Sequence, residues 1–178
     1  MPPLSVLVVD DEPLARERLR ALLDDAPEVK IVGECASGRT AVKAIQEKRP
    51  DLVFLDVQMP GLDGFGVVEQ IGAARMPAIV FVTAFDQYAL KAFEIHALDY
   101  LLKPFDRERF EATLARERLR ALLDDAPEVR IVGECASGRT AVKAIQEKRP
   151  DLVFLDVQMP GLDGFGVVEQ IGAARMPA

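Results

Sequence analysis

The sequence predicts an α/β fold built as a doubly wound parallel sheet, extended through a fused helix by an additional, partial α/β fragment. Three observations carry that prediction. Short, continuous apolar runs recur along the first hundred residues, as expected for parallel strands covered on both faces. Each run is followed by a segment with helical apolar spacing, and five strands alternating with five helices define the doubly wound class. Finally, residues 14–78 recur as residues 114–178, with Lys30 against Arg130 as the single difference.

The elements follow in order. Val6 to Val9 is the first strand. Pro13 opens a helix, because its missing N–H costs nothing in a first turn, and Ala15, Leu19, Leu22 and Leu23 form one apolar face along it. Val29 to Val32 reads as the second strand. Ser37 suits an N-cap for a helix from Gly38 to Lys48, and Leu52 to Leu55 is the third strand. Asp63 caps the third helix. Ala78 to Val82 and Tyr100 to Leu102 are the last strands, with a helix from about Gln87 to Ile95 between them and another starting near Asp106.

No breaker separates Asp106 from Asp125, so this last helix is expected to run straight into the first helix of the repeat, as a rod of about 30 Å. Phe110 and Leu114 lie on one face of that rod. Ala115, Leu119, Leu122 and Leu123 lie on another. The division expected is a complete domain over 1–113 and a partial copy over 114–178. The copy supplies a first helix, second strand, second helix, third strand and third helix, and lacks first, fourth and fifth strands. One mismatch in a single long repeat is unlike a drifted solenoid and points to recent duplication or engineering. Engineering is the favoured origin, because the copy begins inside a helix pattern and stops at Ala178.

A net charge of −7 and a pI near 4.9 exclude a surface that grips a nucleic-acid backbone. The longest apolar run, Pro77 to Phe85, is about half of a membrane helix, and no basic segment precedes the apolar start, so a cytoplasmic protein is expected. Cys35 and Cys135 are one cysteine seen twice and suggest no disulfide framework. His96, the sole histidine, is assigned no role.

In open sheets of this class, functional groups gather at the carboxyl ends of the strands. Asp10 and Asp11 follow the first strand, Asp56 the third, Thr83 the fourth and Lys103 the fifth. Three carboxylates forced together repel one another, and a hard divalent cation, Mg²⁺ above all, offsets that repulsion. With the metal held, Asp56 can attack phosphorus to form an aspartyl phosphate. Lys103 adds positive charge for the phosphoryl oxygens and Thr83 a hydroxyl.

The runs VVDDEP, FLDVQMPGLDG, FVTAF and DYLLKPF resemble the motifs of bacterial two-component response-regulator receivers over residues 4 to about 113. DDEPLARERLRALL and AFDQYALKAFEIHALDYLLKPFDRERF further resemble the receivers of LytTR-type regulators. The resemblance implies a flavodoxin-like sheet of order 2-1-3-4-5 and a histidine kinase as partner. It implies that Asp56 is the phosphoacceptor, and that Asp11, Asp56 and the backbone carbonyl of Gln58 bind Mg²⁺. Asp10 would act mostly through water. Thr83 and Tyr100 would be the switch pair, and the Lys103-Pro104 bond would be cis. Activity would extend no further than self-catalysed phosphoryl transfer and slow autodephosphorylation.

Asp156 repeats the acceptor without counterparts of Asp10, Asp11, Thr83 or Lys103, and is expected to be inert. The copy's expected role is assembly into a homo-oligomer, by domain exchange or strand pairing. Two other readings stand beside this one. The chain can be a purely structural engineered scaffold, or a phosphatase of the haloacid dehalogenase type. The second wants an Asp two positions after the first, where this chain has Gln58.

Overall fold

The computed structural model describes residues 3–95, 97–135, 137–157, 159, 161–172 and 175–177. His96 lies outside them. The chain divides into two compact units, 1–120 and 121–178.

The first unit holds a five-stranded parallel sheet. Its strands are β1 (Leu4–Val9), β2 (Val29–Cys35), β3 (Leu52–Leu55), β4 (Ala78–Thr83) and β5 (Asp99–Leu102), in the order β2-β1-β3-β4-β5. The helices are α1 (Pro13–Asp24), α2 (Gly38–Lys48), α3 (Gly64–Ile71), α4 (Ala89–Glu94) and α5 (Arg107–Asp124). This is the flavodoxin-like arrangement. Alternate residues of β1 serve two cores: Leu7 and Val9 pack toward α2 and α3, while Val6 and Val8 pack toward α1 and α5.

The caps form as the sequence indicates. Ser37 Oγ accepts from Thr40 N, and Asp63 Oδ1 accepts from Gly66 N at 2.7 Å. The segment before β5 differs from expectation, with a 3₁₀ turn at Asp86–Tyr88 ahead of a shorter α4. The bond between Lys103 and Pro104 is cis.

Helix α5 runs unbroken through the junction for 18 residues, about 27 Å. The same sequence uses different faces in its two settings. In α1 the buried residues are Leu19 and Leu23, and Leu14 is 77% exposed. In α5 the counterpart of Leu14, Leu114, is 4% exposed and packs with Phe110 in the receiver core.

The second unit corrects one expectation. Its helices α6 (Gly138–Lys148) and α7 (Gly164–Ile171) repeat α2 and α3, with Ser137 and Asp163 as caps. The second and third strands expected in the copy are absent: the described residues at 129–135 and 152–155 carry no strand, although they match β2 and β3 in all but Arg130. The reason is a missing partner. In the first unit β2 pairs only with β1, and β3 lies between β1 and β4. The copy has neither β1 nor β4, and an extended segment without a ladder leaves its backbone groups to water. A small core remains, with Ala141, Ile145, Val167 and Ile171 buried between α6 and α7.

Candidate phosphoacceptor and metal site

Parallel strands that start together end together, so the loops after β1, β3, β4 and β5 open on one side of the sheet. The order reverses at β1, between β2 and β3, and a crevice forms at the carboxyl ends there. Asp10 and Asp56 are the first residues past their strands, and their backbones are knitted into the sheet, with Asp10 N donating to Cys35 O at 3.1 Å and Asp56 N to Val9 O at 2.8 Å. Carboxylate oxygens of Asp10, Asp11 and Asp56 lie within 4.8 Å of one another. Asp10 and Asp56 are buried and Asp11 is partly exposed.

Two buried carboxylates need compensation, and Lys103 supplies it. Its Nζ stands 2.6 Å from Asp10 Oδ2, 3.3 Å from Asp56 Oδ2 and 3.8 Å from Glu12 Oε2. Burial acts to lower the Lys103 pKa, but the hydrogen bond to Asp10 and the charges of both aspartates hold it above the ordinary lysine value. Burial raises the Asp56 carboxyl above its usual range, with the Asp10 charge adding to it and Lys103 opposing. Backbone donors finish the arrangement: Glu12 N donates to Asp10 Oδ1 at 2.9 Å, and Gln58 N to Asp56 Oδ1 at 3.1 Å.

Thr83 closes the site on the β4 side. Its hydroxyl is fully buried and makes no hydrogen bond to a described atom. An unmet buried hydroxyl costs about 1–3 kcal/mol, so this position is suited to an oxygen from outside. Tyr100, on β5, is partly buried and turns its hydroxyl away to donate to the carbonyl of Phe85. Burial, with nearby negative charge, pushes its pKa up to about 12.

The acceptor loop is held by close packing. A Cβ on Gly64 would fall 2.4 Å from the Asp56 carbonyl oxygen, so only glycine lets α3 start this near. The copy repeats the contact, with Gly164 equally tight on Asp156 at 2.5 Å. Loop and helix therefore fold locally in both units. What the copy lacks is the set of residues that faces Asp56.

Some supporting groups escaped the sequence reading. Arg16 donates through Nη1 to the carbonyls of Asp10 and Asp11, at 2.7 and 3.2 Å. Gln58 Nε2 meets the Tyr88 hydroxyl at 3.2 Å, tying the acceptor loop to the segment after β4. Asp99, at the start of β5, is buried against Arg109 at 2.5 Å, Arg116 at 2.9 Å and Thr113 Oγ1 at 2.6 Å. Burial works against ionisation there, but the two guanidinium groups outweigh it and hold the Asp99 carboxyl below its ordinary value. Only the four-residue spacing of Arg109 and Thr113 on one helix face hinted at that cluster.

Fold and site together define a flavodoxin-like domain with an acidic cluster and a lysine at the carboxyl ends of its strands. The family model for the response regulator receiver domain matches residues 6–115 and again 111–177, and the chain belongs to that family. Among curated relatives, the transcriptional regulatory protein BtsR of Escherichia coli K12 is 43% identical over 165 residues, which is 89% of this chain and 68% of that protein. Among solved structures, the response regulatory domain of mrkE from Klebsiella pneumoniae is 35% identical, with a TM-score of 0.61 over 65% of this chain and 96% of that one. The receiver domain of the putative response regulator NarL from Mycobacterium tuberculosis is 30% identical, with a TM-score of 0.61 over 66% and 98%. Membership supports a two-component signalling role. No helix among the described residues is long and apolar enough to cross a membrane.

Proposed function

We propose that this chain accepts a phosphoryl group from a histidine kinase onto Asp56, and that its second copy takes no part in the transfer. The observation that carries the reading is the Thr83 hydroxyl, buried and without a partner, at the edge of a site that already holds Asp56 and Lys103. Asp56 Oδ attacks phosphorus, the bond from phosphorus to the donor nitrogen breaks, and its electron pair leaves with the donor. Lys103 and the Thr83 hydroxyl then hold the oxygens of the new aspartyl phosphate.

The donor set fits a hard cation. Three carboxylates within one cluster are oxygen ligands only, with no histidine or thiolate among them. Asp11, Asp56 and the Gln58 carbonyl would hold Mg²⁺, with Asp10 acting mainly through water. When bound, the ion supplies neutralisation of charge on the transferring group. Water then attacks the phosphorus of the aspartyl phosphate slowly, releasing inorganic phosphate and restoring the Asp56 carboxylate.

The reading is tested by incubating the chain with a small-molecule phosphodonor and following intact mass. One phosphoryl group is expected in the presence of Mg²⁺, none after chelation and none in Asp56→Asn. Lys103→Ala should slow labelling by about 10²–10³, the usual loss when one preset charge-stabilising group is removed. Labelling of D56N at the wild-type rate would overturn the proposal. For the copy we propose self-association with another copy of this chain, which the exposed Leu152, Phe154 and Phe165 favour.

A further inference from the structure

The metal-binding carboxylates sit on a loop, and a loop needs something to fix it. Asp10 and Asp11 lie between the end of β1 and the start of α1; Asp10 N still joins the sheet through Cys35 O at 3.1 Å, and the chain from the Asp10 carbonyl to Glu12 lies beyond that last bond and ahead of the helix. Arg16 spans that gap. Its Nη1 reaches back from the first turn of α1 to the carbonyls of both aspartates, at 2.7 and 3.2 Å, and so fixes the peptide planes on either side of Asp11. The guanidinium is largely buried and is itself steadied from β2. Glu34 Oε2 stands 3.9 Å from Arg16 Nε, and Arg20 grips the same carboxylate through two bonds of 2.7 and 2.8 Å.

The second copy supplies an internal comparison. Arg116 occupies the matching helix position, and with no aspartate loop ahead of it the side chain pairs with Asp99 instead, at 2.9 Å. An arginine at this helix position is thus not bound to one task, and its contact in the first unit is set by the loop it serves.

We infer that Arg16 is a positioning residue for the divalent cation: by bridging the carbonyls of Asp10 and Asp11 it presets the two carboxylates for the metal. This rests on reading the acidic cluster as a Mg²⁺ site. Two physical effects of Arg16 oppose each other, which gives the inference a sign. As a nearby positive charge it repels a cation, so its removal on electrostatic grounds alone would tighten binding. As a brace it lowers the cost of gathering the ligands, so its removal weakens binding. Groups that orient metal ligands are typically worth about 10–100-fold in affinity. Glu34, 3.9 Å away and shared with Arg20, offsets the repulsion only in part, and the bracing effect is expected to win.

The experiment is a calorimetric titration of the full chain with Mg²⁺ at pH 7, for the wild type, Arg16→Ala and Arg16→Lys, with tyrosine fluorescence melts to check the fold. The inference expects R16A to bind about tenfold more weakly. R16K should bind no more tightly than R16A, since a lysine keeps the charge that repels the cation while its shorter side chain does not carry a nitrogen to the position from which Nη1 reaches both carbonyls. If R16A melts too early to titrate, R16K decides, and a loss of affinity is again expected. Equal or tighter binding in the folded variant overturns the inference. A wild-type chain that takes up no Mg²⁺ overturns instead the reading of the cluster as a metal site.

Discussion

The twin segments offer a paired perturbation, Phe54→Ala and Phe154→Ala, in which one chemical change meets two environments. Phe54 is 0% exposed and stacks on Phe110 with ring centroids 5.4 Å apart. Burying about 200 Å² of aromatic surface at about 25 cal/mol per Å² is worth about 5 kcal/mol, which agrees with the roughly 3–5 kcal/mol seen for such truncations. Phe154 is 55% exposed, so less than half of that surface is out of water and its truncation should cost at most about 2 kcal/mol, confined to the second unit. Both tyrosines, Tyr88 and Tyr100, lie in the first unit and the chain has no tryptophan, so tyrosine fluorescence reports that unit alone. Urea unfolding followed this way should shift by about 3 M for F54A, taking a slope of about 1.5 kcal/mol per M. F154A should leave the midpoint in place. Hydrogen exchange reads the second unit directly, and amide protection at 152–155 comparable to that at 52–55 would falsify the claim that 152–155 stands outside any sheet.

Three further outcomes are expected. Because the Asp56 carboxyl is raised, its favourable contribution to folding is complete only below the ordinary carboxylate pKa and is lost as pH rises through the folded value. Asp56→Asn should therefore raise the melting midpoint at pH 7 without metal, and should forfeit the stabilisation that Mg²⁺ gives the wild type, about 2.7 kcal/mol at a hundredfold excess over Kd. Asp99 has the opposite sign: its carboxyl is lowered, so its contribution is present above the unfolded value near 3.9 and is lost as pH falls through the folded one. Asp99→Asn should cost about 3 kcal/mol at neutral pH, with the gap to wild type closing below about pH 4 in paired melts. Sedimentation velocity over a concentration series should show reversible association that Phe154→Asp and Phe165→Asp together abolish, and a compact monomer at every concentration would contradict the assembly role.

What the sequence disclosed and what it withheld divide along a physical line. Ser37 and Asp63 mark helix starts through bonds made within three residues, and Ser137 and Asp163 do the same in the copy, while Pro13 marks one because a first turn does not need its N–H. The run of Arg107 to Asp124 without a breaker showed that two helices would fuse, and they do. The acceptor cluster was legible because parallel strands deliver Asp10, Asp56, Thr83 and Lys103 to one edge whatever the loops do. Strand formation at 129–135 and 152–155 was not, since a strand belongs to the pair and not to the segment. The shared face of Phe110 and Leu114 was legible from helical spacing and is buried in one core, whereas the brace of Arg16 on Asp10 and Asp11 was hidden, because it depends on a neighbour that local pattern does not specify.

The most direct measurement is site mapping within one chain, where Asp156 serves as the control for Asp56. After exposure to a phosphodonor and Mg²⁺, the aspartyl phosphate is trapped by reduction and the chain is cleaved after lysine alone, which places Asp56 in a peptide of residues 49–91 and Asp156 in a different one of residues 149–178. Modification confined to Asp56 is the predicted result. Equal modification of Asp156 would contradict the claim that the acceptor works only with Asp10, Asp11, Thr83 and Lys103 around it.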